Sequence, residues 1–544
     1  MKLRILSLVL CLAMIVCAFA SCGKKEESSD DVVSETATRT AMTVSMYVIC
    51  EEGTTDEAAD AVEKAVNSMI KSKYTTKVEI TYLTENQYYS AVEAQFETMK
   101  NNVKKPTAGN TADGTDTGAV EEAPETEELV IGENGVAELR YPSLTPGQID
   151  IVMIADYDKY AEYVENGWLA SLDSAVTGTF KKLGDYIYPA TLEAAKVDGK
   201  LYAIPNNGPI ASEATYITVN GELAKEFKLD TYGMDSLTDL ADFLAFAATK
   251  EGVTPIRNTG ADVANVLYMG ADAATRALTS DFSLVGQFGS NATLTAPESL
   301  FANKSYTDEL LALAKLNYAG YFGNGADENY AVEIKTGDLA AMCADRENNE
   351  IIVLSAKAKP TQEIVSSMFA ISAFSDANAF NRAMEVVTYL NTNEEFRNLI
   401  QYGIEGTNYA LDEVTNEMVK LTSDYNMDVA KTGNMFIAYP DEGMSAYIWE
   451  MAKKQNLATV PYAEDIFGGF TIPADVEGET PVDLDSAKAL AKASAEVKAK
   501  LDACKTYEEY EALVTSVAET YADVISGFIT GENTPCALYV ASLG

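Results

Sequence analysis

Carboxylates and a tyrosine follow two apolar segments of the chain, and these side chains are the first candidates for a binding site. Glu51 and Glu52 come directly after the segment TVSMYVIC, and Asp156 and Tyr157 come shortly after IDIVMI. Carboxylates accept hydrogen bonds from the hydroxyl groups of a ligand, and aromatic rings pack against its apolar faces. Because open α/β sheets bind ligands beyond the carboxyl ends of their strands, these positions predict a site at such an edge.

The composition excludes several kinds of chemistry. The 544 residues contain no histidine, which excludes Ser-His-Asp and Cys-His nucleophilic sites and zinc sites built on histidine. Asp and Glu number 83 against 40 Lys and Arg, and the net charge of −43 argues against nucleic acid as a partner. No cysteine spacing typical of a metal site occurs, so the sequence implies no metal and no cofactor.

The apolar patterns predict that both candidate positions lie in one βαβαβ unit. Strands are predicted at 43–50, which is apolar on both faces, at 78–82, which alternates, and at 149–154. A first helix is indicated by apolar residues at helical spacing, namely Val62, Val66, Met69 and Ile70, and a second helix is predicted at about 86–100. This order predicts an α/β fold with a parallel sheet and helices on its faces.

The first residues have the pattern of a bacterial lipoprotein signal peptide. Lys2 and Arg4 precede the apolar run Ile5–Phe19, and Cys22 follows two small residues. We predict that residues 1–21 are removed, that Cys22 carries lipid such as palmitate, and that residues 22–42 form a flexible tether. The alternative is ordinary cleavage that leaves Cys22 unmodified. A lipid anchor predicts a location at the extracellular face of the cell membrane.

An acidic, low-complexity insertion at about 101–147 interrupts this pattern, and we predict that it is disordered. It contains the aspartic-protease tripeptide Asp-Thr-Gly at 116–118, but a second copy is missing, so coincidence is the favoured explanation. Further helices are predicted at 236–249, 376–390, 484–503 and 507–525. The sequence leaves open whether Cys504 and Cys536 form a disulfide.

Several motifs in the middle and last parts of the chain resemble those of one protein family. They are Gly167-x-Leu169-x-x-Leu172-Asp173, then Asp198-Gly199-Lys200-x-Tyr202-Ala203-x-Pro205, then Gly337 with Ala341 and Met342, and finally Y-G-I-E-G-x-x-Y at 402–409. In type and order they are similar to the extracellular solute-binding proteins of family 1, the maltose-binding type, which serve ABC importers. The last motif resembles a lipoprotein subgroup of Gram-positive bacteria. The matches are spread from about residue 43 to 530.

The resemblance implies a periplasmic-binding-protein-like fold of type II. Such a fold has two α/β lobes joined by a hinge, with the ligand in the cleft between the lobes. Lobe 1 would comprise residues 43–212 and 365–435, and lobe 2 would comprise residues 213–364 and 436–544. The βαβαβ pattern supports this implication independently for the first lobe alone.

The resemblance also adds candidates for the ligand site. Asn206 and Asn207 follow a strand that ends at Ile204, and Arg346 and Glu347 follow a strand predicted at 337–344. Trp449 lies where the family places aromatic rings that stack on sugars. Tyr447 is a weaker candidate for the same role.

Each candidate has a structural alternative. Glu51 and Glu52 would be solvated charges on a very acidic surface, and Arg346 would pair locally with Asp345. Tyr402 and Tyr409 would stabilise their own loop. The other tryptophan, Trp168, is expected to pack in the core rather than to bind a ligand.

The resemblance implies a function without catalysis. The predicted protein is a lipid-anchored substrate-binding protein of an ABC importer, which binds a solute, with a sugar or oligosaccharide as the expected kind, and delivers it to the permease subunits. It would work as a monomer. The alternatives are an exported glycoside hydrolase, which needs two carboxylates and no histidine, and a surface adhesin that binds glycans without serving a transporter.

Overall fold

The computed structural model of this chain describes residues 39–103, 129–131, 137–260, 275–277, 283–290, 293–294, 297–413, 416–441, 443–460 and 482–542. These residues fall into two compact units, each made of two stretches of the chain. Unit 1 contains the described residues of 1–208 and 361–443. Unit 2 contains the described residues of 209–360 and 444–544.

The strands are numbered in chain order. They are β1 (Met42–Cys50), β2 (Thr76–Thr84), β3 (Leu129–Ile131), β4 (Ala137–Leu139), β5 (Ile151–Ile154), β6 (Lys196–Val197), β7 (Lys200–Leu201), β8 (Ala203–Pro205), β9 (Ala211–Asn220), β10 (Thr254–Ile256), β11 (Thr275–Ala277), β12 (Val285–Ser290), β13 (Thr293–Leu294), β14 (Glu298–Ser299), β15 (Tyr330–Gly337), β16 (Asn349–Ala358), β17 (Met368–Ile371), β18 (Tyr409–Leu411), β19 (Met418–Lys420) and β20 (Thr459–Val460).

The α-helices are numbered in the same way. They are α1 (Asp56–Tyr74), α2 (Glu85–Val103), α3 (Tyr157–Glu165), α4 (Asp173–Thr177), α5 (Pro189–Ala194), α6 (Gly221–Phe227), α7 (Ala241–Ala247), α8 (Lys304–Tyr318), α9 (Leu339–Arg346), α10 (Thr361–Ile364), α11 (Ala377–Thr392), α12 (Glu394–Tyr402), α13 (Ile448–Ala458), α14 (Leu484–Ala503), α15 (Tyr507–Thr520), α16 (Ala522–Thr530) and α17 (Pro535–Ser542). Short 3-10 helices lie at Lys181–Asp185, Leu237–Leu240, Leu300–Ala302, Val429–Lys431 and Met435–Ile437.

The main sheet of unit 1 has the strand order β2-β1-β5-β17-β8. β1 runs parallel to β2 and to β5, whereas β17 is antiparallel to both β5 and β8. Because β1, β2 and β5 are parallel, their carboxyl ends share one edge of the sheet, with Cys50, Thr84 and Ile154 as the last strand residues. The predicted parallel βαβαβ arrangement is confirmed.

Helices with one apolar face pack on this sheet. α1 begins after Thr55, whose hydroxyl accepts a hydrogen bond from the backbone N–H of Ala58, and it buries Val62, Val66 and Ile70 at helical spacing. α11 begins after the capping side chain of Asp376. Their buried faces join β1, β5 and β17 in one hydrophobic core. This core fixes the sheet edge at which the turn after β1 lies.

Unit 2 is also an α/β structure. Its main sheet has the order β10-β15-β9-β16-β20, in which β9 is antiparallel to β15 and β16 while β10 and β20 run parallel to their neighbours. A second core is formed mainly by helices α14 to α16, together with residues such as Leu284 and Leu300. The predicted α/β class is therefore confirmed in both units.

The units differ from the predicted lobes at their boundaries: residues 361–364 belong to unit 1 and residues 209–212 to unit 2. Residues 436–441 belong to unit 1 as well, whereas the predicted division assigned them to the second lobe. The physical reason is local hydrogen bonding. The Tyr402 hydroxyl donates to the carbonyl of Tyr439 (2.8 Å), and the backbone N–H of Tyr439 donates to the side chain of Asn398 (3.2 Å). Both partners lie in α12, which packs in the core of unit 1.

The strand predicted at 337–344 was wrong, because residues 339–346 form helix α9. The Asp338 carboxylate accepts a hydrogen bond from the backbone N–H of Ala341 (2.9 Å), which caps the helix. The run LAAMCA that follows consists largely of residues with high helix propensity. A good cap and favourable propensity therefore outweigh the apolar content that suggested a strand.

The predicted disordered insertion was wrong at its two ends. Residues 101–103 continue α2, and β3 pairs with β4 in an antiparallel hairpin. Residues 104–128, which include the Asp-Thr-Gly tripeptide, lie outside the described residues. The predicted signal peptide and Cys22 also lie outside them.

The C-terminal helices follow the sequence pattern with one change. α14 spans Leu484–Ala503 as predicted, but the helix predicted at 507–525 is broken at Tyr521 into α15 and α16. Cys504 and Cys536 are free thiols, and Cys536 is fully buried. Among the described residues, no single helix is long and apolar enough to cross a membrane; α15 and α16 together have the length and composition but are bent by 48°.

Candidate functional site

A cavity of about 310 Å³ lies within unit 1, beside the carboxyl end of β1. Its walls come from the turn after β1, from the end of α12 and from the segment that follows it. The lining residues are Glu51, Glu52, Gln401, Tyr402, Asn408, Tyr409, Met418, Lys420, Tyr425, Asn426, Met427 and Asp441. Polar and aromatic side chains thus share the wall, as in sites that bind polar ligands with apolar faces.

A tight loop at the end of α12 positions most of this wall. Gly403 has φ +84°, which an L-residue rarely adopts, and a Cβ on it would lie 2.5 Å from Asn408 Oδ1. That oxygen accepts a hydrogen bond from the backbone N–H of Ile404 (2.8 Å), and the N–H of Gly406 donates to the carbonyl of Tyr409 (2.7 Å). The loop therefore turns the chain back, so that Tyr409 starts β18 close to the end of α12.

Three tyrosines form a cluster at this end of the helix. The ring centroid of Tyr402 lies 5.7 Å from that of Tyr409 and 6.5 Å from that of Tyr439, and the other two rings are 6.2 Å apart. Burial raises the pKa of Tyr402 and of Tyr409. Both side chains are therefore neutral phenols at physiological pH, and the cluster is a fixed aromatic wall.

A buried cation lies behind this wall. Arg397 is fully buried; its guanidinium donates to the carbonyl of Val429 (3.0 Å) and to Asn398 Oδ1 (3.2 Å), and it lies 6.0 Å from the centroid of the Tyr402 ring. Burial lowers the pKa of Arg397 to about 10, so the group is still charged at neutral pH. The Asp441 carboxylate attracts this guanidinium electrostatically and offsets its positive charge.

Two acceptor oxygens at the cavity have no donor among the described residues. Gln401 is 3% exposed; its amide N–H donates to the carbonyl of Met427 (2.5 Å), but its Oε1 accepts no hydrogen bond. Oδ1 of Asp441 is also buried and accepts no hydrogen bond from the described part of the chain, although the carboxylate as a whole interacts with the Tyr402 hydroxyl and with Arg397. Buried acceptors normally have partners, so these two oxygens are suited to receive donors from a ligand.

Glu51 and Glu52 lie at the rim of the cavity and are exposed. Lys431 Nζ lies 3.6 Å from Glu51 and 3.0 Å from Glu85, the residue that follows β2. Within the described part of the chain, Glu52 makes no ion pair. Glu51 and Glu52, the first two predicted residues, thus both lie at the cavity. Lys431, which also belongs to unit 1, compensates the charge of Glu51.

Asp156 and Tyr157 lie at the same sheet edge but do not line this cavity. The Asp156 carboxylate accepts a hydrogen bond from the backbone N–H of Lys159 (2.9 Å) and caps α3. The Tyr157 ring packs edge-on against Tyr160, with centroids 6.2 Å apart. Their observed contacts are those of a helix start.

Asn206 and Asn207 are buried within unit 1. The Asn206 amide donates to Ser367 Oγ (2.8 Å), and the Asn207 amide donates to the carbonyl of Tyr186 (2.9 Å). Asn207 Oδ1 accepts a hydrogen bond from the backbone N–H of Tyr188 (3.2 Å). These contacts hold the chain after β8 against neighbouring segments of unit 1.

The remaining predicted residues belong to unit 2. The Arg346 guanidinium lies 4.9 Å from the ring centroid of Tyr447, donates to Glu450 (3.4 Å) and is 3.5 Å from Glu350, so it is engaged by its own unit. Its alternative partner Asp345 instead bonds Lys335 and the Tyr216 hydroxyl, each at 2.7 Å. Glu347 is exposed at the end of α9. Trp449 is half-buried in the first turn of α13.

Sequence reasoning missed most of the cavity wall. It singled out Tyr402 and Tyr409 as loop residues, and both line the cavity. Gln401 and Asp441 carry no signal in a single sequence, because an amide or carboxylate that lacks a partner is recognised only in three dimensions. Trp168 packs in the core as expected, stacked on Phe96 with centroids 5.2 Å apart. In the described ranges, no group of three or more Cys, Asp or Glu could hold a metal ion.

Comparison with known proteins gives one curated relative and several solved structures. No family model matches the chain. The relative is a carbohydrate ABC transporter substrate-binding protein from Streptococcus pneumoniae serotype 4, 26% identical over 337 residues. The match covers 56% of this chain and 64% of the relative's length.

Among solved structures, the chain is similar to the N-glycan transport solute binding protein (NgtS) from Streptococcus pneumoniae in complex with Man1GlcNAc, with 18% identity, a TM-score of 0.37, and coverage of 89% of this chain and 100% of that one. It is also similar to an extracellular solute-binding protein family 1 from Alicyclobacillus acidocaldarius, with 12% identity, a TM-score of 0.31, and coverage of 89% and 99%. At these TM-scores the structural matches carry no weight. The predicted resemblance is nevertheless confirmed in sequence: this chain is similar to a curated substrate-binding protein of a carbohydrate ABC transporter.

Proposed function

We propose that this chain is the substrate-binding component of a carbohydrate ABC importer. It binds a sugar or oligosaccharide and delivers it, chemically unchanged, to permease subunits in the membrane. The curated relative is a substrate-binding protein of a carbohydrate ABC transporter. Because the match covers 64% of that relative, the solute and the permease belong to this proposal.

The observation that carries the proposal is the cavity of unit 1. Tyr402 and Tyr409 supply aromatic surface, and Gln401 and Asp441 supply buried acceptors that lack donors. A sugar presents both features that this wall needs, since its ring has an apolar C–H face and hydroxyl donors around its rim. Contact with the apolar face and hydrogen bonds to the hydroxyl groups are enough for binding, and neither requires a catalytic group in the protein.

The experiment is a titration of the purified protein with neutral oligosaccharides, followed by mass spectrometry of the recovered ligand. We expect at least one to bind, to raise the melting temperature, and to be recovered intact. Glu52→Gln changes a rim residue and is expected to alter affinity, whereas Glu165→Gln, an exposed residue of α3, is the matched control. Release of new reducing ends would instead indicate a glycoside hydrolase, and failure of every carbohydrate to bind would reject the proposal.

Binding without transport would indicate an adhesin, the other alternative. The test is uptake of the bound oligosaccharide by cells that lack this chain, compared with cells that carry it. Restored uptake supports the importer function. Equal uptake in both cell lines, with binding retained, supports the adhesin.

We propose further that the chain is held at the extracellular face of the cell membrane by lipid on Cys22. The basic start, the apolar run and the small residues before Cys22 support this location. The test is metabolic labelling with a palmitate analogue. Label in the full chain and none in Cys22→Ser is the expected result, and equal label in both would reject lipidation at this residue.

A further inference from the structure

In the wall of the cavity of unit 1, the amide donors have hydrogen-bond partners within the protein, whereas two acceptor oxygens have none among the described residues. The amide of Asn408 donates to Thr422 Oγ1 and to Asp424, each at 3.4 Å, and the amide of Asn426 donates to the carbonyl of Ser423 (2.8 Å). The amide of Gln401 donates to Met427. The amide donors of the wall are therefore engaged within the protein.

Two acceptor oxygens of the wall have no hydrogen-bond donor in the part of the chain that the structure describes. Gln401 Oε1 and Asp441 Oδ1 are buried and receive no hydrogen bond from the described residues. A buried acceptor without a donor costs free energy, which a ligand donor would recover. A ligand atom placed there must therefore carry a proton, as a hydroxyl or an ammonium group does.

The charges of the lining act in the same direction. Asp441, Glu51 and Glu52 are carboxylates of the lining, and Lys420, its cation, lies exposed at the rim beside the side chain of Asn426. Arg397 behind the wall offsets Asp441, and Lys431 lies 3.6 Å from Glu51, whereas Glu52 makes no ion pair among the described residues. A carboxylate or phosphate on a ligand would bring acceptors to unpaired acceptors and a negative charge to the uncompensated Glu52. Both effects disfavour it.

We propose that this cavity selects carbohydrates by their hydrogen-bond donors, with Asp441 and Gln401 as the residues that determine specificity. Its ligands are neutral sugars or amino sugars, and acidic sugars such as uronates or sugar phosphates are rejected. This inference rests on the proposed function, because it assumes that the cavity binds a carbohydrate. It goes further by assigning the ligand's chemical class to two named acceptors.

The test compares three kinds of trisaccharide by calorimetric titration at low and at high salt. The probes are maltotriose, cellotriose and mannotriose as neutral sugars, the trimer of glucosamine as an amino sugar, and the trimer of galacturonic acid as an acidic sugar. We expect a neutral or amino probe to bind about tenfold or more tightly than the acidic one. The preference should persist at high salt, because buried groups are screened less than the overall net charge.

The decisive variant is Asp441→Asn, which keeps the shape and removes the charge and one acceptor. We expect about a tenfold loss of affinity for the neutral or amino probe and a smaller preference over the acidic probe. Asp60→Asn removes a carboxylate charge from an exposed site on α1. It should change neither the affinity for the neutral or amino probe nor the preference over the acidic probe. If Asp441→Asn does not fold, judged by its melting temperature, Glu52→Gln at the rim replaces it and must reduce the preference.

The outcomes separate this inference from the proposed function. Equal binding of neutral and acidic probes, or an unchanged preference in a folded Asp441→Asn, would overturn the inference while carbohydrate binding stands. A preference that disappears at high salt would overturn it too, since the general charge of the protein would then be the cause. Failure of every probe to bind the unaltered protein would reject the proposed function itself.

Discussion

The polar groups beyond β1 in unit 1 and those at the end of α9 in unit 2 are similar in type but differ in their partners. In unit 1, Gln401 and Asp441 keep buried acceptors without donors at a cavity. In unit 2, Arg346 is engaged by Glu450, Glu350 and Tyr447, and Asp345 by Lys335 and Tyr216. Residue type alone therefore does not separate a binding group from a structural one; these two regions differ in the hydrogen bonds of their polar groups.

The two tryptophans give the largest expected difference between the units. Trp168 is 4% exposed and packs between Phe96 and Tyr163 in unit 1, whereas Trp449 is half-buried on α13 of unit 2. We expect Trp168→Ala to lower the free energy of unfolding by about 3 to 5 kcal/mol, because it leaves a large cavity in the core. Urea unfolding followed by circular dichroism measures this change in the free energy of unfolding.

Trp449→Ala is the matched substitution in unit 2. We expect it to cost clearly less stability than Trp168→Ala, because less of the side chain is packed. If its loss equals that of Trp168→Ala, Trp449 is a core residue. If it abolishes ligand binding at unchanged stability, the predicted role of Trp449 as an aromatic platform holds, and unit 2 takes part in recognition.

The loop that shapes the cavity gives the next largest effect. Gly403→Ala introduces a Cβ 2.5 Å from Asn408 Oδ1 at a positive φ, and we expect a loss of roughly 2 to 4 kcal/mol together with weaker ligand binding. Gly406→Ala has a similar φ of +76° but meets nothing within 4 Å, so about 1 to 2 kcal/mol is expected there. Equal losses would show that the contact with Asn408 is unimportant.

Alkaline pH tests the buried tyrosines of unit 1. Burial raises the pKa of Tyr88 and of Tyr425 well above that of a free tyrosine. In the unfolded chain these groups lose their protons near pH 10, while the folded state keeps them, so the unfolded state binds fewer protons and stability falls as pH rises. Below about pH 10 both states are protonated and this contribution is constant.

The measurement is the melting temperature between pH 8 and 12, which we expect to fall from about pH 10 upward. Arg397 acts in the opposite direction, because its pKa is lowered to about 10 and the folded state releases that proton first. Tyr425→Phe is the control and should make the fall less steep. A melting temperature that stays constant to pH 12 would contradict the expectation.

The smallest expected effect concerns Arg346. Its ion pairs are partly exposed, and Arg346→Met is expected to cost about 0 to 1 kcal/mol. We also expect little change in carbohydrate affinity, because its guanidinium is engaged within unit 2. A large loss of affinity at unchanged stability would restore Arg346 as a ligand residue and weaken the contrast between the units.

The strands, their order and the capped helices were predictable because they depend on local patterns. The buried run 43–50, the alternation at 78–82 and the helix that starts near Asp376 appear in the structure where the sequence indicated them. Helix α9 was missed because its cap at Asp338 was not weighed against an apolar run that also suits a strand. When an apolar run suits both a helix and a strand, a single capping side chain such as Asp338 can decide between them.

The site was only partly predictable. Glu51 and Glu52 were found because strand ends point to a known edge of a sheet, and both line the cavity. Asp156, by contrast, meets the same rule and caps a helix. Gln401 and Asp441 were not found, since the absence of a partner depends on contacts between segments far apart in the sequence.

Hydrogen–deuterium exchange with bound sugar tests the central claim most directly. The ligand is the neutral or amino trisaccharide that binds most tightly in the titrations, added at saturation. We predict slower amide exchange at residues 401–411 and 418–427, which form the cavity wall of unit 1, and weaker protection of the same segments in Asp441→Asn, whose affinity is lower. Unchanged exchange in these two segments of the unaltered protein, with protection confined to residues 346–351 and 447–451, would contradict the claim.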